Sequence, residues 1–177
     1  MKKETLYLIG GSGFIGKNLV RCLSPFYGIT VFDKYIDTQF FSNYPQVQTC
    51  RLDLVIDKVP TNYPVPEFII NLASVVTAER DLSLFDILIS SNLKILLNLF
   101  ERFRDDKRLK MFIQFGSSEE YGSENSPFKE ENRENPNSPY ALVKQLTTNT
   151  SIMLHRNYGF PVMAVSYTHL TLPTNSL

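Results

Sequence analysis

The sequence is short of the features that mark a disulfide-stapled, nucleic-acid-binding or membrane-spanning protein. It has two cysteines, Cys22 and Cys50, far apart and with no Cys-x-x-Cys pair or histidine cluster. Such usage fits a reduced compartment better than a disulfide framework or a zinc site, and predicts small buried hydrophobes. An excess of charge of one sign is missing too, since 18 Lys and Arg balance 18 Asp and Glu. With no electrostatic footprint for nucleic acid or an anionic membrane, partners must be sought at local sites. The opening MKKETLYLIG starts basic, but Glu4 interrupts it and glycines follow. Neither a signal peptide nor a membrane span is expected, which points to a cytoplasmic location. No repeat, low-complexity tract or interdomain linker stands out, and 177 residues at 43% apolar suit one domain with a sizeable core.

What is present is alternation. Short β-rich runs (TLYLIG, ITVFD, VQTCRLD, EFIINLAS, KMFIQF, PVMAV) are separated by helical patterns (FIGKNLVRCL, LFDILISSNLKILLNLFERF, SPYALVKQLTTNTSIMLHRNY). Strand and helix in alternation predict parallel strands joined by crossover helices. Continuously apolar strands predict helices on both faces, so the fold class is α/β, a doubly wound parallel sheet. A long helix from about Leu84 to Phe103 carries Phe85, Leu88, Leu96, Phe100 and Phe103 as a core-facing stripe. Asn92 lies on that stripe and must find hydrogen-bond partners, either as a structural bridge or as part of a site. The polar segment GSENSPFKEENRENPNSP is expected to be a surface loop beside the strand ends. From Ser166 to Leu177 the pattern stops. Residues 1–165 are therefore taken as the domain, and 166–177 as a non-native, frameshifted tail or a natural disordered terminus.

In LYLIGGSGFIGKNLV, Gly10, Gly13 and Gly16 stand at Gly-x-x-Gly-x-x-Gly spacing where an apolar strand turns into a helix. That context fits a dinucleotide: missing side chains let the backbone approach a pyrophosphate, and a helix N-terminus favours its charge. Gly10, Gly13, Phe14, Ile15 and Gly16 are the candidate contacts; the alternative is a tight turn that binds nothing. The second strand ends at Asp33, about twenty residues on, where a carboxylate accepts from an adenosine ribose and repels a 2′-phosphate. This favours NAD over NADP, with neighbouring Lys34 tempering the preference. Asp53 and Leu54, closing the third strand, either line an adenine pocket or form a plain turn.

In NSPYALVKQ, Ser138 is placed as an N-cap and Pro139 at the first helical position. Tyr140 and Lys144, four apart, then share one face, where an ammonium lowers a tyrosine pKa towards the range useful for proton transfer.

The motifs GGSGFIG, NLAS, GSSEEYG and SPYALVK, in this order, resemble the extended short-chain dehydrogenase/reductases, in particular NAD-dependent nucleotide-sugar epimerases and dehydratases. The resemblance runs from Leu6 to about Val165. It implies an NAD-binding Rossmann-like domain that acts on a nucleotide sugar through transient oxidation of a hydroxyl to a keto intermediate. Tyr140 would be the catalytic base, Lys144 would hold the nicotinamide ribose, and Ser117 would hydrogen-bond the reacting oxygen. Leu72, Ala73 and Ser74 would border the cofactor, with Asn92 supporting the site. Glu119 stands where dehydratases and decarboxylases often carry glutamate, and simple 4-epimerases often lack it; as an alternative it is a solvated turn carboxylate, as Glu120 is expected to be. Asn71 replaces a histidine common in the family. The family's arginine-containing motif and C-terminal substrate-binding region have no counterpart here, which puts activity of this chain in doubt. Two alternatives stand beside this reading, an NADP-dependent reductase and a non-catalytic dinucleotide-binding domain. A homodimer through the helices around Asn92 and Tyr140 is a further expectation.

Overall fold

Residues 3–122 and 132–166 are described by a computed structural model. Most of the polar segment after Tyr121, at positions 123–131, and the tail from position 167 lie outside the described residues. Six parallel strands form the sheet: β1 (Thr5–Ile9), β2 (Gly28–Asp33), β3 (Gln48–Arg51), β4 (Phe68–Asn71), β5 (Met111–Phe115) and β6 (Val162–Val165). Their order is β3-β2-β1-β4-β5-β6. The direction of winding reverses between β1 and β4, and this reversal opens a crevice at the carboxyl ends of those strands.

The apolar runs form central strands because both faces are covered. In β1, Tyr7 and Ile9 enter one apolar cluster with Leu96, Leu99, Phe100 and Phe103, while Leu6 and Leu8 enter the other with Val20 and Val31. Side chains alternate across a strand, so four successive apolar residues serve two layers. Among the described residues, five helices accompany the sheet: α1 (Phe14–Leu23), α2 (Thr38–Phe41), α3 (Phe85–Ile89), α4 (Ile95–Phe103) and α5 (Pro139–Tyr158). α5 starts as predicted, with Ser138 Oγ accepting from the Ala141 N–H at 3.1 Å and Pro139 in the first turn.

Two expectations need correction. The helix predicted from Leu84 to Phe103 is instead a 3-10 turn (Leu82–Leu84), α3, a π turn (Ser90–Lys94) and α4 in succession. Leu88, Ser91, Asn92, Ile95 and Leu96 are all buried through this succession, at the spacing of an ordinary helical face. This stretch is long and apolar enough to cross a bilayer. Here Leu96, Leu99, Phe100 and Phe103 of α4 pack into the core beneath the sheet. The second correction concerns the cysteines, which are free as expected but not buried: Cys22 is exposed and Cys50 half-buried. Cys22 follows the buried Val20 by two positions, which turns it to the solvent side of α1.

Candidate active site

A cavity of about 380 Å³ opens at the winding reversal. The glycine loop, Asp33 to Tyr35, Leu52 to Val55, Leu72 to Val75, Ser91 and Ile95 line it. Its floor depends on backbone contact. Gly10 has φ of +74°, its N–H donates to Phe32 O at 2.8 Å, and a Cβ there would lie 2.8 Å from Ala73 N. Only glycine takes this conformation cheaply with the backbone of the loop after β4 so close. At Gly16 a Cβ would fall 2.4 Å from Gly11 Cα, so α1 presses directly on the loop. Gly13 is the N-cap of α1 and provides no side-chain cap, leaving the first amides of the helix unclaimed by one. Phe14 and Ile15 open the helix beside them, with Phe14 mostly exposed.

The Ser12 hydroxyl is buried and has no hydrogen-bond partner among the described residues, while its N–H donates to Asp33 Oδ2 at 2.9 Å. Asp33 Oδ1 accepts from the Tyr35 N–H at 3.1 Å. Asp33 therefore both lines the cavity and ties the glycine loop to the end of β2, a second role that the sequence does not announce. Asp53 Oδ1 accepts from the Val55 N–H at 3.0 Å in a turn, and the residue also lines the cavity. Leu54 is buried and contributes to the core and the cavity wall.

The loop after β4 borders the cavity as predicted, and two buried polar pairs hold it. Asn71 donates to Gln114 Oε1 at 2.8 Å and accepts from the Ala73 N–H at 3.2 Å, linking β4, β5 and the loop. Ser74 donates to Asn92 Oδ1 at 2.8 Å, and the Asn92 amide donates to Leu88 O at 2.9 Å. Asn92 thus sits behind Ser74 in the π turn rather than on the cavity wall.

Ser74 also faces the second cluster. The hydroxyls of Ser74 and Ser117 adjoin the Tyr140 phenol, bringing the ends of β4 and β5 together on α5. Burial raises the Tyr140 pKa above its ordinary value, an effect the two serine hydroxyls only partly offset. The predicted lowering by Lys144 is not found. The Lys144 ammonium instead donates to Phe115 O at 2.5 Å, and burial lowers its own pKa to about 8, with Glu120 pulling the other way.

Of the two glutamates, Glu120 departs from the expectation. Glu119 is exposed. Glu120, expected to face water, is 2% exposed, and its carboxylate accepts from the Ser117 N–H at 2.7 Å. Ser117 and Glu120 form a reciprocal capping box on the 3-10 turn Ser118–Tyr121, which α5 then covers. The signal was available in the sequence as Ser-x-x-Glu, the spacing of such a box. Gln114, Ser12 and Ser91 are further polar members of the site that sequence reasoning passed over.

A parallel sheet wound 3-2-1-4-5-6 with a glycine turn and an acid at the end of the second strand defines a dinucleotide-binding class of protein. Within that class, the profile of the NAD dependent epimerase/dehydratase family matches residues 6–176, and the chain belongs to that family. Solved structures with the same fold include UDP-N-acetylglucosamine 4-epimerase from Methanobrevibacter ruminantium in complex with UDP-N-acetylmuramic acid, at 24% identity and TM-score 0.83, covering 94% of this chain and 55% of that one. UDP-glucuronic acid 4-epimerase from Bacillus cereus with UDP-glucuronic acid and NAD is 21% identical at TM-score 0.84, covering 92% and 56%. The dTDP-glucose 4,6-dehydratase from Streptomyces venezuelae, with NAD bound, is 22% identical at TM-score 0.78, covering 92% and 55%. The chain spans about half the length of these structures.

Proposed function

We propose that this chain is the NAD-binding and catalytic portion of an enzyme that epimerises or dehydrates a nucleotide sugar through a transient keto intermediate. The observation that carries this reading is the meeting of the cavity's Ser74 with Ser117 at the Tyr140 phenol, which brings an acid–base group next to a residue of the cavity wall. The cavity residues fit NAD: Gly13 leaves space for the pyrophosphate, Ser12 has a buried hydroxyl with no partner among the described residues, and Asp33, on the cavity wall, would accept from the adenosine ribose. When bound, NAD supplies the hydride acceptor and donor.

The chain's residues do the rest. Tyr140 takes the proton of the sugar hydroxyl, Ser117 hydrogen-bonds that oxygen, and Lys144 holds the nicotinamide ribose. Its ammonium, bonded to Phe115 O, would exchange that carbonyl for a ribose hydroxyl when the cofactor enters. With that charge near, the tyrosine pKa would fall from the raised value it has without cofactor. Glu119, exposed beside Ser117, remains available as the further acid or base that would select dehydration over epimerisation. Exposed apolar residues on α5, including Leu142, Leu146 and Met153, support a homodimer.

The test uses a version of the protein extended to the length of its relatives. Tyr140→Phe should abolish formation of keto sugars from a panel of nucleotide sugars while leaving NAD affinity within about twofold. Surviving turnover would overturn the mechanism. An NADP-dependent reductase is separated by cofactor titration: NAD should bind more tightly than NADP, and Asp33→Ala should narrow the gap.

A further inference from the structure

The site contains one buried carboxylate that this chemistry does not use. We propose that Glu120 is a positioning residue, whose carboxylate fixes the Ser117 backbone and provides the counter-charge for the Lys144 ammonium; its importance to catalysis rests on the reading of Ser117 and Lys144 just given.

Glu120 is placed where three elements converge. Its Oε1 accepts from the Ser117 N–H at 2.7 Å at the end of β5, and Ser166 Oγ, just past β6, lies 3.4 Å away. A Cβ on Gly116 would come within 2.6 Å of both Glu120 Oε1 and Ser166 Oγ, and within 3.3 Å of Thr148 Oγ1 on α5. The carboxylate therefore fills a closed position between β5, β6 and α5. The Glu120 carbonyl accepts from the Asn135 N–H at 3.0 Å, which fixes the turn from the other side.

Lys144, also 2% exposed, reaches this region from α5. Its hydrogen-bond acceptor, Phe115 O, is neutral, so the opposing charge is that of Glu120. Burial drives the lysine pKa down and the glutamate pKa up, and each group's charge counters the effect on the other. Tyr140 of α5 and Glu119 of the same turn are the other titratable neighbours; Glu119 acts on the Tyr140 phenol, and neither acts on the lysine. Tyr121 follows on the turn, and the β6 side contributes the uncharged Ser166. A glutamine at position 120 would satisfy the Ser117 N–H equally well, since it too has an acceptor oxygen. Only the charge distinguishes the proposed role from simple capping.

The experiment follows both partners by NMR in the chain as it stands, with 13C labels at lysine Cε and glutamate Cδ. In Glu120→Gln, the Lys144 midpoint should fall by roughly one pH unit or more, while thermal unfolding stays close to that of the wild type. In Lys144→Met, the Glu120 midpoint should rise by a comparable amount, because coupling between two sites is reciprocal. The alkaline limit of NAD affinity should move down with the lysine in Glu120→Gln. Either midpoint staying in place overturns the proposal. If wild type binds no NAD, the functional reading fails, whereas the two titrations still decide the pairing of Glu120 with Lys144.

Discussion

Gly10 and Gly13 belong to one loop, yet the structure assigns them different duties, and alanine at each should separate stability from binding. At Gly10, alanine enters the left-handed region at a cost of about 1–2 kcal/mol. Its methyl also meets the Ala73 backbone at 2.8–2.9 Å and cannot be relieved by rotating a side chain. Overpacking of this sort costs a further ~1–3 kcal/mol. Reduced freedom of the unfolded chain returns about 0.4–1 kcal/mol, so the net loss is roughly 1–4 kcal/mol. For a chain of this size that is a fall of about 2–16 °C in Tm. At Gly13, φ is −72° and the nearest atom to a new Cβ is Gly10 O at 3.6 Å. Alanine there replaces a tolerated N-cap at a cost of only about 0.5 kcal/mol, but places a methyl where the pyrophosphate must approach. Thermal unfolding with and without NAD reads both effects. At a hundredfold excess over Kd, NAD stabilises by about 2.7 kcal/mol, and Gly13→Ala should lose most of that shift while keeping its unliganded Tm. Gly10→Ala should lose unliganded Tm. Equal unliganded losses in the two variants, or full NAD stabilisation of Gly13→Ala, would refute the assignment.

Two further outcomes follow from the polar interior. Asn92→Ala removes the acceptor of Ser74 and the donor to Leu88 O, so thermal unfolding should show a loss of about 1–3 kcal/mol, with NAD affinity falling as the loop at Ser74 loosens. Lys144 has a folded pKa of about 8 against an ordinary 10.5, so between these values the unfolded chain binds more protons and stability rises with pH. The rise should reach up to about 3 kcal/mol and vanish in Lys144→Met, when urea unfolding of the two proteins is compared between pH 8 and 10. Above pH 10, Tyr7, whose pKa burial raises to about 12, acts in the opposite sense in both proteins, so their difference isolates the lysine.

The sheet was readable because its central strands are buried on both faces: Leu6 to Ile9 must all be apolar, and an unbroken run of that length shows in a single sequence. The glycine turn, Asp33, Ser117, Tyr140 and Lys144 were readable as positions because strand ends and a capped helix carry them, and both kinds of element leave local signatures. What the sequence hides are the partners. Lys144 binds a backbone carbonyl, Asp33 binds two backbone N–H groups, and Ser117 is held through its own N–H, and such groups belong to every residue alike. The π turn is hidden because the buried positions across it, Leu88, Ser91, Asn92, Ile95 and Leu96, keep the spacing of an ordinary helical face. Glu120 combines the two cases. Its Ser-x-x-Glu spacing was visible, but its burial depends on Thr148 and Lys144, which α5 brings from more than twenty positions away. A turn rich in hydroxyls and acids reads as solvated until a helix is laid over it. The environment of a residue in such a turn is therefore decided by the element that covers it, and the docking of α5 on the end of β5 brings the Lys144 ammonium to Phe115 O, beside the turn that carries Glu120.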